Sequence, residues 1–170
     1  MGIFGRKGKS LEPENERPPE EEVNLFHNLP AVFDITLREL LADGEELLAV
    51  LFVPSERILS NWYPGKALVV TAFQVMVMEE GESVIVDTKW GAKTKMYAFD
   101  HIAAIEMGYA LLRGRFRIAS TNPQETSEIR LHWYDLNNFR AAVRLIRERM
   151  AAGRTMQYRT LDDQHQQEGG

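Results

Sequence analysis

Hydrophobic positions along this chain change period twice. Val32, Phe33, Leu37, Leu40 and Leu41 fall near one face of a helix, with Asp34, Arg38 and Glu39 on the other. The spacing predicts a helix over 23–42, with Pro30 near the start of its main turn and Asp43-Gly44 as its stop. From Glu45 the apolar runs shorten and the period drops toward two. Strands are expected at 47–53, 67–71, 73–78 and 83–87, punctuated by Pro54-Ser55, Asn61, Pro64-Gly65 and the acidic turn 79–82. Residues 89–95, with one glycine and three lysines, read as a hairpin loop. The stretch 97–119 reads as three strands folding back on one another. A polar corner at Asp100-His101 and a tight turn at Arg113-Gly114 separate them.

The cleanest alternation lies at 128–133, where Ile129, Leu131 and Trp133 point one way and Glu128, Arg130 and His132 the other. Then the helical period returns. Leu136, Phe139, Val143, Ile146 and Met150 recur at spacings of three and four, behind Asp135 as N-cap and ahead of Gly153 as terminator. The order is helix, about seven short strands, helix. Short connections favour an antiparallel meander, and a sheet with one apolar face must curl and cover its open end. The expected fold is mainly β, with the last helix as the cover.

Composition narrows the reading. At 170 residues with 44% hydrophobic content, the chain supports one domain with a real core. It has no cysteine, which removes disulfides, thiolate metal sites and thiol nucleophiles and fits a reducing compartment. No apolar run approaches the roughly 20 residues of a membrane span. The expectation is a cytoplasmic protein, at most peripheral to the membrane.

Charge is unevenly spread within the net −5. Residues 1–10 carry Arg6, Lys7 and Lys9, whereas 11–22 carry six Glu and one Arg. Residues 1–22 read as a solvated, disordered leader, because they hold too little apolar surface to offset ordering entropy. Residues 154–170 read as a second disordered tail without a period. Between them, 23–153 hold 14 basic and 16 acidic residues, too balanced for a nucleic-acid footprint.

Several phrases in order carry a resemblance. They are Gly44-Glu45-Glu46-Leu47-Leu48-Ala49, then Ala67-Leu68-Val69-Val70-Thr71-Ala72-Phe73-Gln74-Val75-Met76-Val77-Met78. Next come Tyr97-Ala98-Phe99-Asp100-His101-Ile102-Ala103-Ala104-Ile105-Glu106 and Leu112-Arg113-Gly114-Arg115-Phe116-Arg117-Ile118, followed by the terminal helix. This layout resembles the bacterial pleckstrin-homology-like (PH-like, GRAM-like) family over residues 44–153. The resemblance implies a partly open antiparallel barrel of about seven strands, capped by the C-terminal helix. It also implies a non-catalytic binding or scaffold module, often self-associating, with no cofactor. The family's phosphoinositide pattern is not matched, since Val53 to Leu68 offers only Arg57 and Lys66 as cations.

Candidate chemistry is sparse. The four histidines have no metal-like spacing, Asp100 reads as a corner cap, and no nucleophile motif occurs. Two groups remain. Arg113, Arg115 and Arg117 alternate on one strand and share a face, solvated or set to meet an anion. Lys89, Lys93 and Lys95 flank Trp90, an arrangement that suits an exposed loop or a finger touching anionic headgroups. The leading expectation is a module that engages protein partners and itself, through strand edges and the first helix. The alternative is a peripheral membrane-binding domain.

Overall fold

The structure, a computed structural model, describes residues 23–81 and 92–167, without the side chains of 154–167. Within them lie nine strands and two α-helices. Four strands form one antiparallel sheet in the order β1 (Leu47–Val53), β4 (Lys66–Thr71), β5 (Gln74–Glu80), β6 (Ala92–Ala98). A separate hairpin, β2 (Glu56–Ile58) with β3 (Asn61–Tyr63), fills the connection between β1 and β4. A second antiparallel sheet follows, in the order β7 (Ile102–Ala110), β8 (Arg113–Ser120), β9 (Thr126–His132). The fold is mainly β, with a short N-terminal helix and a long C-terminal one, and the described residues form no closed barrel.

The main core lies between the two sheets. Leu51, Leu68, Val70, Val75 and Tyr97 of the first sheet meet Phe116, Ile118, Ile129 and Leu131 of the second. The last helix, α2 (Leu136–Gln167), adds Leu136, Phe139, Ala142, Val143 and Ile146, and Phe139 packs a tilted ring on Phe116 at 5.6 Å. The stripe expected from spacing is the stripe that is buried. Helix α1 (Ala31–Leu40) covers the other face of the first sheet. Its Phe33 and Leu37 pack on Val50, Ala67, Val69, Met76 and Met78. With both faces covered, β4 and β5 bury continuous runs rather than alternating ones, as strands between two apolar layers do.

Several boundaries differ from the sequence reading, each for a physical reason. Residues 23–29 are not helical. Leu25 to His27 run along β1, with Val50 N–H donating to Leu25 O at 2.6 Å and His27 N–H to Val50 O at 2.7 Å. Backbone pairing at that edge outweighs helix propensity. Helix α1 ends near Leu41, and Gly44 takes φ +80° in the turn before β1. Helix α2 runs through Gly153, because one glycine among helix formers costs only about 1 kcal/mol and no proline follows.

The turn expected at Arg113-Gly114 lies two residues earlier, at Leu111-Leu112, with Leu111 at φ +56°. The corner at Phe99–His101 is a 3-10 turn, and it carries the chain from the first sheet to the second rather than within one. Trp133 does not continue the β9 alternation; it opens a 3-10 turn and is 53% exposed. The strand expected at 83–87 and both terminal tails, apart from the backbone of 154–167, lie outside the described residues.

Candidate functional site

The alternating arginines of β8 do share a face, since Gly114, Phe116 and Ile118 between them are buried. Each is matched by a carboxylate. Arg113 Nη1 lies 3.3 Å from Glu56, Arg115 Nη1 3.9 Å from Glu128 and Arg117 Nη1 3.5 Å from Glu106. These pairs neutralise the stripe, so little charge is left for an incoming anion.

Lys93 and Lys95 stand on strand β6, not in a loop, because their register against Glu79 and Val77 continues the ladder. Lys95 Nζ donates to Thr126 O at 2.7 Å. Lys66 Nζ donates to Glu128 O at 2.8 Å and pairs with Glu79 at 2.7 Å. Two ammonium groups of the first sheet thus take outward carbonyls of β9, which blunts that edge against pairing. Lys89 and Trp90 lie outside the described residues. The other surface expected to bind partners, α1, spends its apolar stripe on its own sheet.

Several large apolar side chains also remain exposed. Leu59, at the tip of the β2–β3 hairpin, is 94% exposed, and Leu111, at the tip of the β7–β8 hairpin, is 96% exposed. Both hold φ +56°, a conformation that costs an L-residue with a branched side chain roughly 1–2 kcal/mol. Trp62, Leu112, Trp133 and Tyr134 are also more than half exposed.

Glu56 bridges two charged neighbours of this surface, Arg113 and His132. One of its carboxylate oxygens meets Arg113, beside the turn of the β7–β8 hairpin, and the other lies 3.4 Å from His132 Nε2. The Trp133 N–H donates to Leu112 O at 3.2 Å. Tyr134 stacks on His132 at 5.1 Å and meets Trp133 edge-on at 6.0 Å. One carboxylate therefore joins the first residue of β2, the turn end of the β7–β8 hairpin and the residue that precedes the 3-10 turn.

Beneath this surface, Asp135 is buried and accepts the His132 N–H at 3.3 Å, closing a capping box at the entry to α2. Burial pushes its carboxyl above the ordinary value, against the pull of the His132 amide and the two imidazoles His132 and His27. The Tyr134 phenol is also raised, first by burial and then by the Asp135 and Glu56 carboxylates. Among the described residues no cluster of three His, Cys, Asp or Glu is placed to hold a metal ion. Among the described residues no helix is long and apolar enough to cross a membrane.

The sequence reading missed Leu59, Leu111, Leu112, Trp133 and Tyr134 as surface. The available signal was Leu111-Leu112 immediately before the Arg-Gly pair, a dileucine that fits a turn poorly unless its side chains are wanted outside. Comparison with family models, curated proteins and solved structures gives no match for this chain.

Proposed function

We propose that the chain is a non-catalytic, pleckstrin-homology-like binding and scaffold module that engages protein partners and self-associates. A four-stranded and a three-stranded antiparallel sheet sharing their core with one C-terminal helix support the PH-like reading. The observation that carries the binding reading is the exposed apolar and aromatic set Leu59, Trp62, Leu111, Leu112, Trp133 and Tyr134, within which Leu112, Trp133 and Tyr134 are in contact. Exposed apolar and aromatic surface of this kind marks interaction sites. Its charged neighbours are paired with one another, which favours an apolar protein face over anionic headgroups. A second copy of the chain offers the same face, and isologous pairing needs no further surface.

The test uses purified full-length protein with a photoreactive phenylalanine at position 112. Self-association through this face predicts a covalent dimer whose cross-links map to residues near 59–62, 109–112 and 133–134. Cross-links scattered over the surface, or none, contradict it. Flotation with neutral and anionic vesicles accompanies the test. Vesicle binding lost in the Leu59→Ser/Leu111→Ser/Leu112→Ser variant would replace the protein partner with a membrane.

A further inference from the structure

Helix α2 carries Arg140, Arg144 and Arg147 at spacings of four and three, which sets the three guanidinium groups on one face. Met107 and Tyr109 of β7 stand across from them, and Val23 closes one side, around an open groove of about 470 Å³. Among the described residues, no carboxylate reaches ion-pair distance of these arginines. Arg140 lies 5.7 Å from the Tyr109 ring centre, and its Nη1 donates to Asn137 Oδ1 at 3.5 Å. The contrast with β8 is informative. There each of three arginines has its glutamate; here three cations share one apolar-floored groove with no anion. Arg clusters of this kind recognise carboxylate or phosphate groups.

The chain itself brings a fitting anion to the mouth of the groove. The Asn24 N–H donates to Asn138 Oδ1 at 2.9 Å, and His27 is bonded to β1, so the backbone around Val23 is fixed beside the first turns of α2. The residues immediately before Val23 are Glu20, Glu21 and Glu22, the end of a stretch, 12–22, with six Glu and one Arg. Three extended residues reach about 10 Å. From Arg140 to Arg147 the helix rises about 10 Å. Charge and reach therefore match.

The geometry points to the Arg140/Arg144/Arg147 groove as a carboxylate-binding site whose occupant is this chain's own acidic segment, residues 12–22. Exposed ion pairs are weak singly. A short tether raises the local carboxylate concentration to the order of millimolar, which lets weak pairs fill the groove. An outside acidic peptide must then displace this segment to bind there.

The test exploits the absence of cysteine. Pro18→Cys in the full-length chain carries a nitroxide, and amide signals are compared with a diamagnetic control. The proposal predicts selective broadening of amides around 140–150. The broadening disappears near 1 M salt, where the screening length is about 3 Å. It also disappears in Glu20→Gln/Glu21→Gln/Glu22→Gln and in Arg144→Glu/Arg147→Glu, and returns when Glu20, Glu21 and Glu22 become Lys in the latter background. Folding of each variant is read from the same spectra. No broadening, or broadening that survives both charge changes, overturns the proposal. So does a groove whose amides shift with inorganic phosphate while the label leaves them untouched, because the site then serves an external anion.

Discussion

Gly114 lies where the second sheet closely approaches Leu136, the first residue of helix α2. A Cβ built there meets Leu136 Cδ2 at 2.8 Å, Leu131 Cβ at 3.2 Å and the Gly108 carbonyl oxygen at 3.4 Å. Carbon atoms at their optimum lie about 3.5–4.0 Å apart. The Leu136 methyl can swing away only at the expense of a buried position. The Leu131 Cβ, directly opposite on β9, cannot rotate at all, so β8 and β9 must part by a few tenths of an ångström while Leu136 of α2 gives way. Gly114→Ala is therefore expected to destabilise by about 1–3 kcal/mol, the usual range for overpacking. In a chain of this size each kcal/mol lowers Tm by about 2–4 °C.

Chemical denaturation of the single variants and of Gly114→Ala/Leu136→Ala closes a double-mutant cycle. Leu136→Ala alone costs about 2–5 kcal/mol through its cavity. In combination the added methyl occupies part of that cavity, so the double variant loses less than the two losses together, by about 1 kcal/mol. Strict additivity, or a Gly114→Ala loss below about 0.5 kcal/mol, would refute the claim that close helix approach dictates this glycine.

Other substitutions follow from the same structure. Thr94 Oγ1 is buried and has no hydrogen-bond partner among the described residues, so Thr94→Val should gain about 1 kcal/mol in urea denaturation; a loss would mean that the hydroxyl is satisfied. Leu111→Asn, which accepts positive φ more readily, should gain about 1 kcal/mol at concentrations where the protein is monomeric. Burial acts to raise the Glu45 carboxyl, but hydrogen bonds from the Thr71 hydroxyl, the Ala42 amide and Gln74 outweigh it and leave the group below its ordinary 4.5. Its stabilisation is present above 4.5 and is lost as pH falls through the folded value, so Glu45→Gln should flatten the acid limb of stability against pH. Asp135 has the opposite sign. Its raised carboxyl favours the folded state increasingly as pH falls from its folded value toward 3.8, and Asp135→Asn should remove that increment.

The elements with strong periodicity were legible in the sequence. The β1 bounds are those expected, and the α2 stripe is buried as its spacing required, because both patterns report one apolar face against one core. Turn chemistry was less readable. Gly114 looks like a turn residue, yet its role is to admit α2, and the turn itself uses Leu111 in a conformation no propensity favours. Local sequence carries no record of which helix will later press on a strand. The fate of the arginines and lysines was illegible for the same reason. Glu56, Glu106 and Glu128 reach the β8 arginines only through tertiary register, and Lys66 and Lys95 meet β9 carbonyls across two sheets. The apolar surface was hidden because exposed leucines and tryptophans look like core residues until the core is counted. Helix α2 beyond Gly153 shows that a lone glycine is weak punctuation without a proline or polar cap behind it.

Sedimentation velocity over a dilution series of the full-length protein tests the central claim most directly, beside the Leu59→Ser/Leu111→Ser/Leu112→Ser variant. The account predicts reversible, concentration-dependent association of the wild type and a monomer at every concentration for the variant. A wild type that stays monomeric throughout, or a variant that associates equally well, would contradict it.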